Sequence, residues 1–136
     1  MIEDVEPGKA WDAMKADPRA QLCDVRTDAE WNLVGIPDLQ EIAREVVLIP
    51  WQVYPSMQRN AGFLGQLAEA GLARDTPIYF ICRSGARSMA AAEAASAAGY
   101  TEVYNVADGF EGPLDPDGHR GQVAGWKAAG LAWRQR

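Results

Sequence analysis

The sequence has few of the residues that build disulfide frameworks and metal sites. It contains two cysteines, Cys23 and Cys82, and one histidine, His119. Two cysteines are too few for a disulfide framework, and one histidine with scattered carboxylates does not form a zinc-binding pattern. Free thiols are typical of reducing compartments, so the sequence predicts a cytoplasmic protein with no bound metal.

Basic residues and long apolar runs are also scarce. The 13 Lys and Arg against 19 Asp and Glu leave a net charge of −6. An acidic chain gains no counterion-release drive toward nucleic acid, and anionic membranes repel it. The stretch from Met1 to Lys9 lacks the pattern of a signal peptide, and Met89 to Ala98 is too short to span a bilayer. We therefore expect neither a nucleic-acid nor a membrane partner, and a local basic pocket for any anionic ligand.

Strand and helix patterns alternate along the 136 residues, of which 48% are hydrophobic. This length and composition predict a single domain over residues 1–136, and we expect a monomer. The alternation predicts an α/β three-layer sandwich, with a mainly parallel sheet and helices on both faces. The predicted strands are 20–25, 46–49, 77–81 and 102–106; the predicted helices are 7–17, one capped by Thr27 and Glu30, 60–70, 87–98 and 125–133.

The predicted strand Pro77 to Ile81 runs directly into a loop that begins at Cys82, and a helix follows. Parallel sheets place their ligands at this end of their strands. Gly85 permits a tight turn, in which six consecutive backbone N–H groups form an anion-binding nest beside a helix N-terminus. These features, with Arg83 and Arg87, favour the thiolate of Cys82. The alternative, a buried structural cysteine, fits two arginines and a glycine turn poorly.

Four motifs resemble the rhodanese sulfurtransferases, in the family's order and over nearly the whole chain. The loop CRSGARS (82–88) looks like the family's active-site loop and is the most specific of the four. LCDVRTDAEW (22–31) and GWKAAGL (125–131) resemble two further signatures. VYNVADGFEG (103–112) resembles the segment after the last strand, although it keeps only the second of the paired glycines that are usual there. The resemblance implies a rhodanese-like three-layer sandwich.

The resemblance also implies a chemistry. Cys82 would be the catalytic residue, taking sulfur from a small donor such as thiosulfate as a persulfide and passing it to cyanide or to a cellular thiol or protein. No metal or organic cofactor is needed, because sulfur itself supplies the reactive bond. The alternative is a persulfide carrier or protein-interaction module with little turnover. The predicted substrate-binding residues are those of the loop: Arg83, Ser84, Gly85, Ala86, Arg87 and Ser88.

Loop length distinguishes sulfur transfer from phosphatase or arsenate chemistry. Related phosphatases place an arginine six positions after the nucleophilic cysteine, whereas Arg87 stands five positions after Cys82 and the sixth position is Ser88. By the family resemblance, the shorter loop fits a sulfur atom. Two stretches, 36–59 and 113–124, depart from the family pattern, and both could border the mouth of the site.

Several other residues allow more than one interpretation. Asp24, Arg26 and Glu30 form either an acid–base cluster or a scaffold in which Arg26 and Glu30 pair across one helical turn, and we favour the scaffold. Cys23 is interpreted as a small core residue, and His119 as a solvated loop residue or a proton donor. The remaining pair, Trp51 and Tyr54, either forms an apolar rim at the mouth or packs inside.

Overall fold

The computed structural model describes residues 2–136, which form a parallel sheet with helices on both faces. In chain order the elements are β1 (Glu3–Val5), α1 (Pro7–Ala16), β2 (Gln21–Asp24), α2 (Asp28–Val34), β3 (Ile36–Pro37), a short 3-10 helix (Gln40–Ile42), β4 (Val47–Leu48), β5 (Gln52–Val53), β6 (Gln58–Arg59), α3 (Phe63–Glu69), β7 (Ile78–Ile81), α4 (Ala86–Ala97), β8 (Val103–Val106) and β9 (Trp133–Arg134). The order of the five-stranded sheet is β1-β8-β7-β2-β4, and every neighbouring pair in it is parallel.

The side chains of the central strand β7 alternate between two cores. Ile78 and Phe80 pack with α3 and α4, while Tyr79 and Ile81 pack on the other face with α1. All four residues are buried, as expected for a strand covered on both faces. The predicted three-layer arrangement with a mainly parallel sheet is therefore confirmed.

Local signals fixed the start of α2. The Thr27 hydroxyl accepts a hydrogen bond from the N–H of Glu30, and the Glu30 carboxylate accepts one from the N–H of Thr27. This reciprocal cap satisfies two backbone donors that a helix start leaves open. The predicted capping box is confirmed.

The predicted helix over 125–133 is wrong. The segment makes a single turn, in which the N–H of Ala129 donates to the carbonyl of Gly125 at 2.9 Å, and it then ends in β9. Gly125 and Gly130 both have positive φ angles, 100° and 78°, which a helix does not accommodate. β9 pairs antiparallel with β3, so the chain end is extended.

The sequence patterns also missed the short strands. β1 pairs with the edge of β8 and has only three residues, none of them fully buried. β5 and β6 form a two-residue ladder within the 36–59 stretch. Strands this short and exposed carry no alternation of apolar and polar residues. Among residues 2–136, no helix is long and apolar enough to cross a membrane.

Candidate active site

Cys82 lies at the carboxyl end of β7, the middle strand of the sheet, and only 1% of its surface is exposed. Its sulfur accepts a hydrogen bond from the N–H of Gly85 at 3.1 Å, and the Ser88 hydroxyl lies 3.1 Å away on the other side. Gly85 adopts a φ of 115°, which turns the loop inward. The loop therefore turns back on Cys82, and within residues 2–136 one of the six amides of the predicted nest bonds the sulfur.

The amide nest is divided between the sulfur and the space next to it. Among the described residues, Gly85 supplies the backbone N–H that bonds the sulfur. Because α4 begins at Ala86, the N–H groups of Ala86, Arg87 and Ser88 have no carbonyl one turn earlier in the helix. These three donors lack an intrahelical acceptor, and with the helix dipole they favour negative charge near the start of α4.

The turn that follows β8 holds the back of the loop. The N–H of Phe110 donates to the carbonyl of Cys82 at 2.7 Å, and the N–H groups of Glu111 and Gly112 donate to the carbonyl of Arg83 at 3.0 and 3.1 Å. A Cβ on Gly109 would lie 2.4 Å from the Cys82 carbonyl oxygen, so only glycine fits there. Two carbonyl oxygens of the loop are thereby engaged by amides of this turn.

Arg87 does not present a free charge. Its guanidinium donates hydrogen bonds of 2.7 and 2.9 Å to the two carboxylate oxygens of Glu30. Burial alone would raise the pKa of Glu30, but hydrogen bonds from Arg87, its charge and the contacts with Thr27 outweigh burial and lower it. The hydrogen bond to Glu30 likewise raises the pKa of Arg87 against the effect of burial. The pair ties the start of α4 to α2.

The predicted pairing of Arg26 with Glu30 is wrong. Arg26 precedes α2, so the two side chains do not share a helix face. Instead Arg26 donates to the Asp24 carboxylate, with a shortest distance of 2.7 Å, and to the carbonyl of Gly35 at 2.8 Å. Both members of this ion pair are fully buried, and the guanidinium lies 4.2 Å from the centre of the Phe110 ring. Arg26 and Asp24 thus form a scaffold, as the preferred interpretation of this cluster states.

Asn105 is a site residue that the sequence patterns did not single out. It lies buried on β8, its side-chain oxygen is in close contact with the Ser88 hydroxyl, and its amide group donates to Asp4 at 2.9 Å. The same amide donates to the carbonyl of Gly85 at 3.2 Å. The sequence does contain a signal for this residue, a polar side chain within an apolar strand. A buried side-chain amide needs hydrogen-bond partners, so such a position indicates a polar contact.

The second cysteine shares an apolar core cluster with Cys82 but has no exposed surface. Cys23 lies in β2 with no exposed surface and belongs to the apolar core under α3 and α4. Burial, with the nearby Asp24 charge, raises the pKa of its thiol well above the usual range. The interpretation of Cys23 as a core residue is supported by this placement.

A cleft of about 710 Å³ opens beside the loop. Both stretches that depart from the family pattern reach it: 36–59 through Gln52, Tyr54 and Met57, and 113–124 through Arg120. Both stretches therefore border a cleft that Arg83 and Arg87 of the Cys82 loop also line. The cleft is lined by Thr27, Ala29, Glu30, Leu33, Val34, Gln52, Tyr54, Met57, Arg83, Arg87, Glu111 and Arg120.

The two aromatic residues after β4 have different surroundings. Tyr54 is 57% exposed and lines the cleft, whereas Trp51 packs edge-on against Phe63 at 5.1 Å between ring centroids. His119 is exposed on the 113–124 segment and is not among the residues that line the cleft. Its backbone N–H donates to the Asp115 carboxylate at 2.8 Å. Its placement agrees with a solvated loop residue.

The ends of segment 113–124 meet. A Cβ on Gly112 would lie 2.0 Å from the carbonyl oxygen of Ala124, so the two backbones are in direct contact. Next to the contact between Gly112 and Ala124, Arg120 donates to the carbonyl of Gly112 at 2.7 Å.

Within residues 2–136 no group of three or more His, Cys, Asp or Glu side chains is placed to hold a metal ion.

Comparison with known sequences identifies relatives of similar length and of greater length. An uncharacterized protein of Rickettsia prowazekii, RP600, is 36% identical over 134 residues, which is 98% of both chains. The rhodanese-like domain-containing protein 4 of the Arabidopsis thaliana chloroplast is 28% identical over 131 residues, which is 95% of this chain and 25% of that protein.

Solved structures include relatives that share the fold of this chain. The crystal structure of Rv0390 from M. tuberculosis is 49% identical, covers 98% of both chains and superposes with a TM-score of 0.91. The polysulfide-sulfur transferase of Wolinella succinogenes shares the fold at a TM-score of 0.67 and 21% identity, over 99% of this chain and 80% of its own. The model of the STR4 middle domain family matches residues 4–136. The chain therefore belongs to the rhodanese-like family, among the relatives of the STR4 middle domain.

Proposed function

We propose that this protein is a sulfurtransferase that carries sulfane sulfur as a persulfide on Cys82. The observation that supports this most is the position of the Cys82 sulfur, between the N–H of Gly85 and the hydroxyl of Ser88, at the N-terminus of α4. The N–H of Gly85 and the helix dipole can stabilise negative charge on a sulfur held at this position. The polysulfide-sulfur transferase of Wolinella succinogenes, which shares the fold, supports the same class of chemistry.

The proposed reaction has two displacement steps. The Cys82 thiolate attacks the outer sulfur of a donor such as thiosulfate, a new S–S bond forms, and the old S–S bond breaks as sulfite leaves with its electron pair. An acceptor thiolate then attacks the outer sulfur of the persulfide, and the electron pair of the broken bond returns to Cys82. The free N–H groups of Ala86, Arg87 and Ser88 stabilise the negative charge on the outer sulfur.

The decisive experiment is intact-mass measurement after incubation with thiosulfate and desalting. The proposal predicts one added sulfur atom on wild-type protein, which cyanide or dithiothreitol removes, and none on Cys82→Ser. Sulfur loading of Cys82→Ser to the wild-type level would refute the assignment.

A second candidate is a carrier that loads but turns over slowly. The near-complete burial of Cys82 favours it, because an acceptor must reach a residue that is only 1% exposed. Steady-state turnover of thiosulfate with cyanide distinguishes the two candidates. Sustained turnover supports the enzyme, whereas a stable persulfide with little turnover supports the carrier.

A further inference from the structure

The cleft beside the loop that follows Cys82, which Arg83 and Arg87 line, is larger than an inorganic sulfur donor requires. Its volume of about 710 Å³ lies in the range of roughly 300–1,000 Å³ that is usual for clefts that bind organic molecules. Part of its wall is built by two segments that the resemblance to the family does not account for, 36–59 and 113–124. The cleft therefore fits an occupant with an organic body.

The cleft carries positive charge that no carboxylate neutralises directly. Three arginines and two glutamates line it, so its net charge is +1 (3 − 2). These residues are Arg83, Arg87, Arg120, Glu30 and Glu111. Arg87 and Glu30 form an ion pair in which their charges neutralise each other. Among residues 2–136, neither Arg83 nor Arg120 has a carboxylate oxygen within 4.0 Å. A local positive site in a chain of net charge −6 favours an anionic occupant.

Arg120 is held in place for such a role. One of its guanidinium nitrogens donates to the carbonyl of Gly112 at 2.7 Å, and the residue is partly buried. This bond uses one of the five donors of the guanidinium and leaves a fork suited to a carboxylate. An oriented arginine loses less freedom on binding than a mobile one.

The cleft also has an exposed apolar wall. Leu33, Tyr54 and Met57 are 79%, 57% and 38% exposed and all line the cleft. Large apolar side chains that face a concave site are a common feature of organic ligand pockets. An occupant with both a carboxylate and an apolar portion complements the two kinds of wall.

We propose that the sulfur acceptor is an anionic organic thiol of metabolite size, with its carboxylate bound by Arg120 and Arg83 and its body against Leu33, Tyr54 and Met57. The proposal rests on the proposed function. In the transfer step the acceptor thiolate forms a bond to the outer sulfur, the Cys82 S–S bond breaks, and the products are an organic persulfide and the Cys82 thiolate. Arg120 is thereby a specificity-determining residue.

The test is single-turnover transfer from protein whose persulfide has been confirmed by intact mass before the acceptor is added. The acceptors are mercaptosuccinate, neutral 2-mercaptoethanol and cationic cysteamine. Comparing each variant with wild type for the same thiol cancels the intrinsic reactivity of that thiol. Arg120→Gln should lower the ratio of mercaptosuccinate to 2-mercaptoethanol rates about tenfold, as expected for losing a charge-assisted hydrogen bond of ~1.4 kcal/mol.

The matched control is Arg19→Gln. Arg19 is an exposed arginine that lies just before β2, at the amino ends of the strands, and contacts Asp17 and Asp75. This control should leave the rate ratio as it is in wild type. The double variant Tyr54→Ser, Met57→Ser should slow transfer to 2-mercapto-3-phenylpropanoate more than transfer to mercaptoacetate, because only the former has an apolar body.

Binding without turnover separates this proposal from the proposed function. S-methylmercaptosuccinate cannot accept sulfur, and calorimetry should detect its binding to Cys82→Ser but about tenfold weaker binding to Cys82→Ser, Arg120→Gln. Absence of a persulfide on wild type would refute the proposed function, while this binding assay would still decide the acceptor class. The proposal would be overturned if Arg120→Gln slowed transfer to all three thiols equally or changed the transfer rate for none of them. It would also be overturned if sulfur were transferred only to protein thiols.

Discussion

Arg87 and Glu30 are 57 positions apart in the chain, yet the guanidinium of one donates two hydrogen bonds, of 2.7 and 2.9 Å, to the carboxylate of the other. The contact joins the first turn of α4, which follows Cys82, to the first turn of α2. Both side chains are about one-fifth exposed, so water screens the pair only in part. The arginine that sequence reasoning assigns to substrate binding is thus already bound to a carboxylate.

The pair makes folding stability depend on pH. Because the folded-state pKa of Glu30 is below its unfolded value of about 4.3, its contribution is present above that value and is lost as the pH falls through the folded pKa. Urea titrations of wild type and Glu30→Gln should differ by about 1 kcal/mol near neutral pH, with the difference shrinking below about pH 4. A difference that stays constant over this range would contradict the pairing.

The two thiols should differ in function. Cys23→Ala should still load one sulfur atom, since the buried thiol of Cys23 has a raised pKa and lies in the core, whereas Cys82→Ser should load none. Intact-mass measurement after thiosulfate treatment checks both variants. Circular dichroism should show that both variants are folded, which makes the comparison valid. Loss of sulfur loading in folded Cys23→Ala would contradict the prediction.

Gly109 is predicted to be essential to the shape of the loop. A Cβ at this position would lie 2.4 Å from the Cys82 carbonyl oxygen, so Gly109→Ala must displace the loop. Displacement by about 1 Å costs roughly 10²-fold in rate, and loading by thiosulfate should fall to that extent. The matched control is Asp108→Gly, since Asp108 has a φ of 63° and glycine relieves rather than adds strain there. Equal activity of the two variants would count against this account.

The Ser88 hydroxyl should support the sulfur anion. Its oxygen lies 3.1 Å from the Cys82 sulfur, but its single proton is shared with the Asn105 side-chain oxygen, which can only accept, so Ser88→Ala should slow loading by about tenfold or less. Ser96→Ala, an exposed position on the same helix, is the control. Stopped-flow alkylation by iodoacetamide, which reports thiolate reactivity, should slow in parallel; an unchanged rate would show that the hydroxyl does not bond the sulfur.

Loop length should exclude phosphate esters. Arg87 stands one position short of the phosphatase spacing, and its charge is engaged by Glu30. We expect no hydrolysis of an aryl phosphate by the native protein, and loss of sulfur transfer when one residue is inserted between Gly85 and Arg87, since a misplaced amide no longer stabilises the persulfide. Aryl phosphate hydrolysis by wild type that is absent from Cys82→Ser would overturn the argument.

The helices and strands whose sequence signal is local and strong can be predicted from the sequence. The buried run before Cys82, the alanine-rich helix after it and the Thr27–Glu30 cap each lie within one element, and all three were predicted. The same reasoning fails where the partner is distant. The bond of Glu30 to Arg87 and that of Asn105 to Asp4 both depend on how the strands are ordered in the sheet.

The predicted helix over 125–133 fails for a related reason. Ala128 and Ala129 have high helix propensity, but the positive φ at Gly125 and Gly130 and the pairing of Trp133 with Pro37 override it. The backbone of Gly125 is also packed closely against the carbonyl of Gly109, where a Cβ would lie 2.8 Å from the oxygen. Propensity decides the structure of a segment only where such tertiary contacts leave it free.

The closed base of segment 113–124 separates two properties of the protein. With its ends in contact at Gly112 and Ala124, the segment is an omega loop, whose residues can change without altering the path of the chain on either side. The hydrogen bonds that hold the Cys82 loop come from Phe110 and Glu111, just before that base, and from Gly112 at the base itself. Substitutions within the omega loop therefore remodel the wall of the cleft while the sulfur-carrying centre keeps its geometry, which makes the preference for an acceptor separable, in evolution or by design, from the ability to carry sulfur.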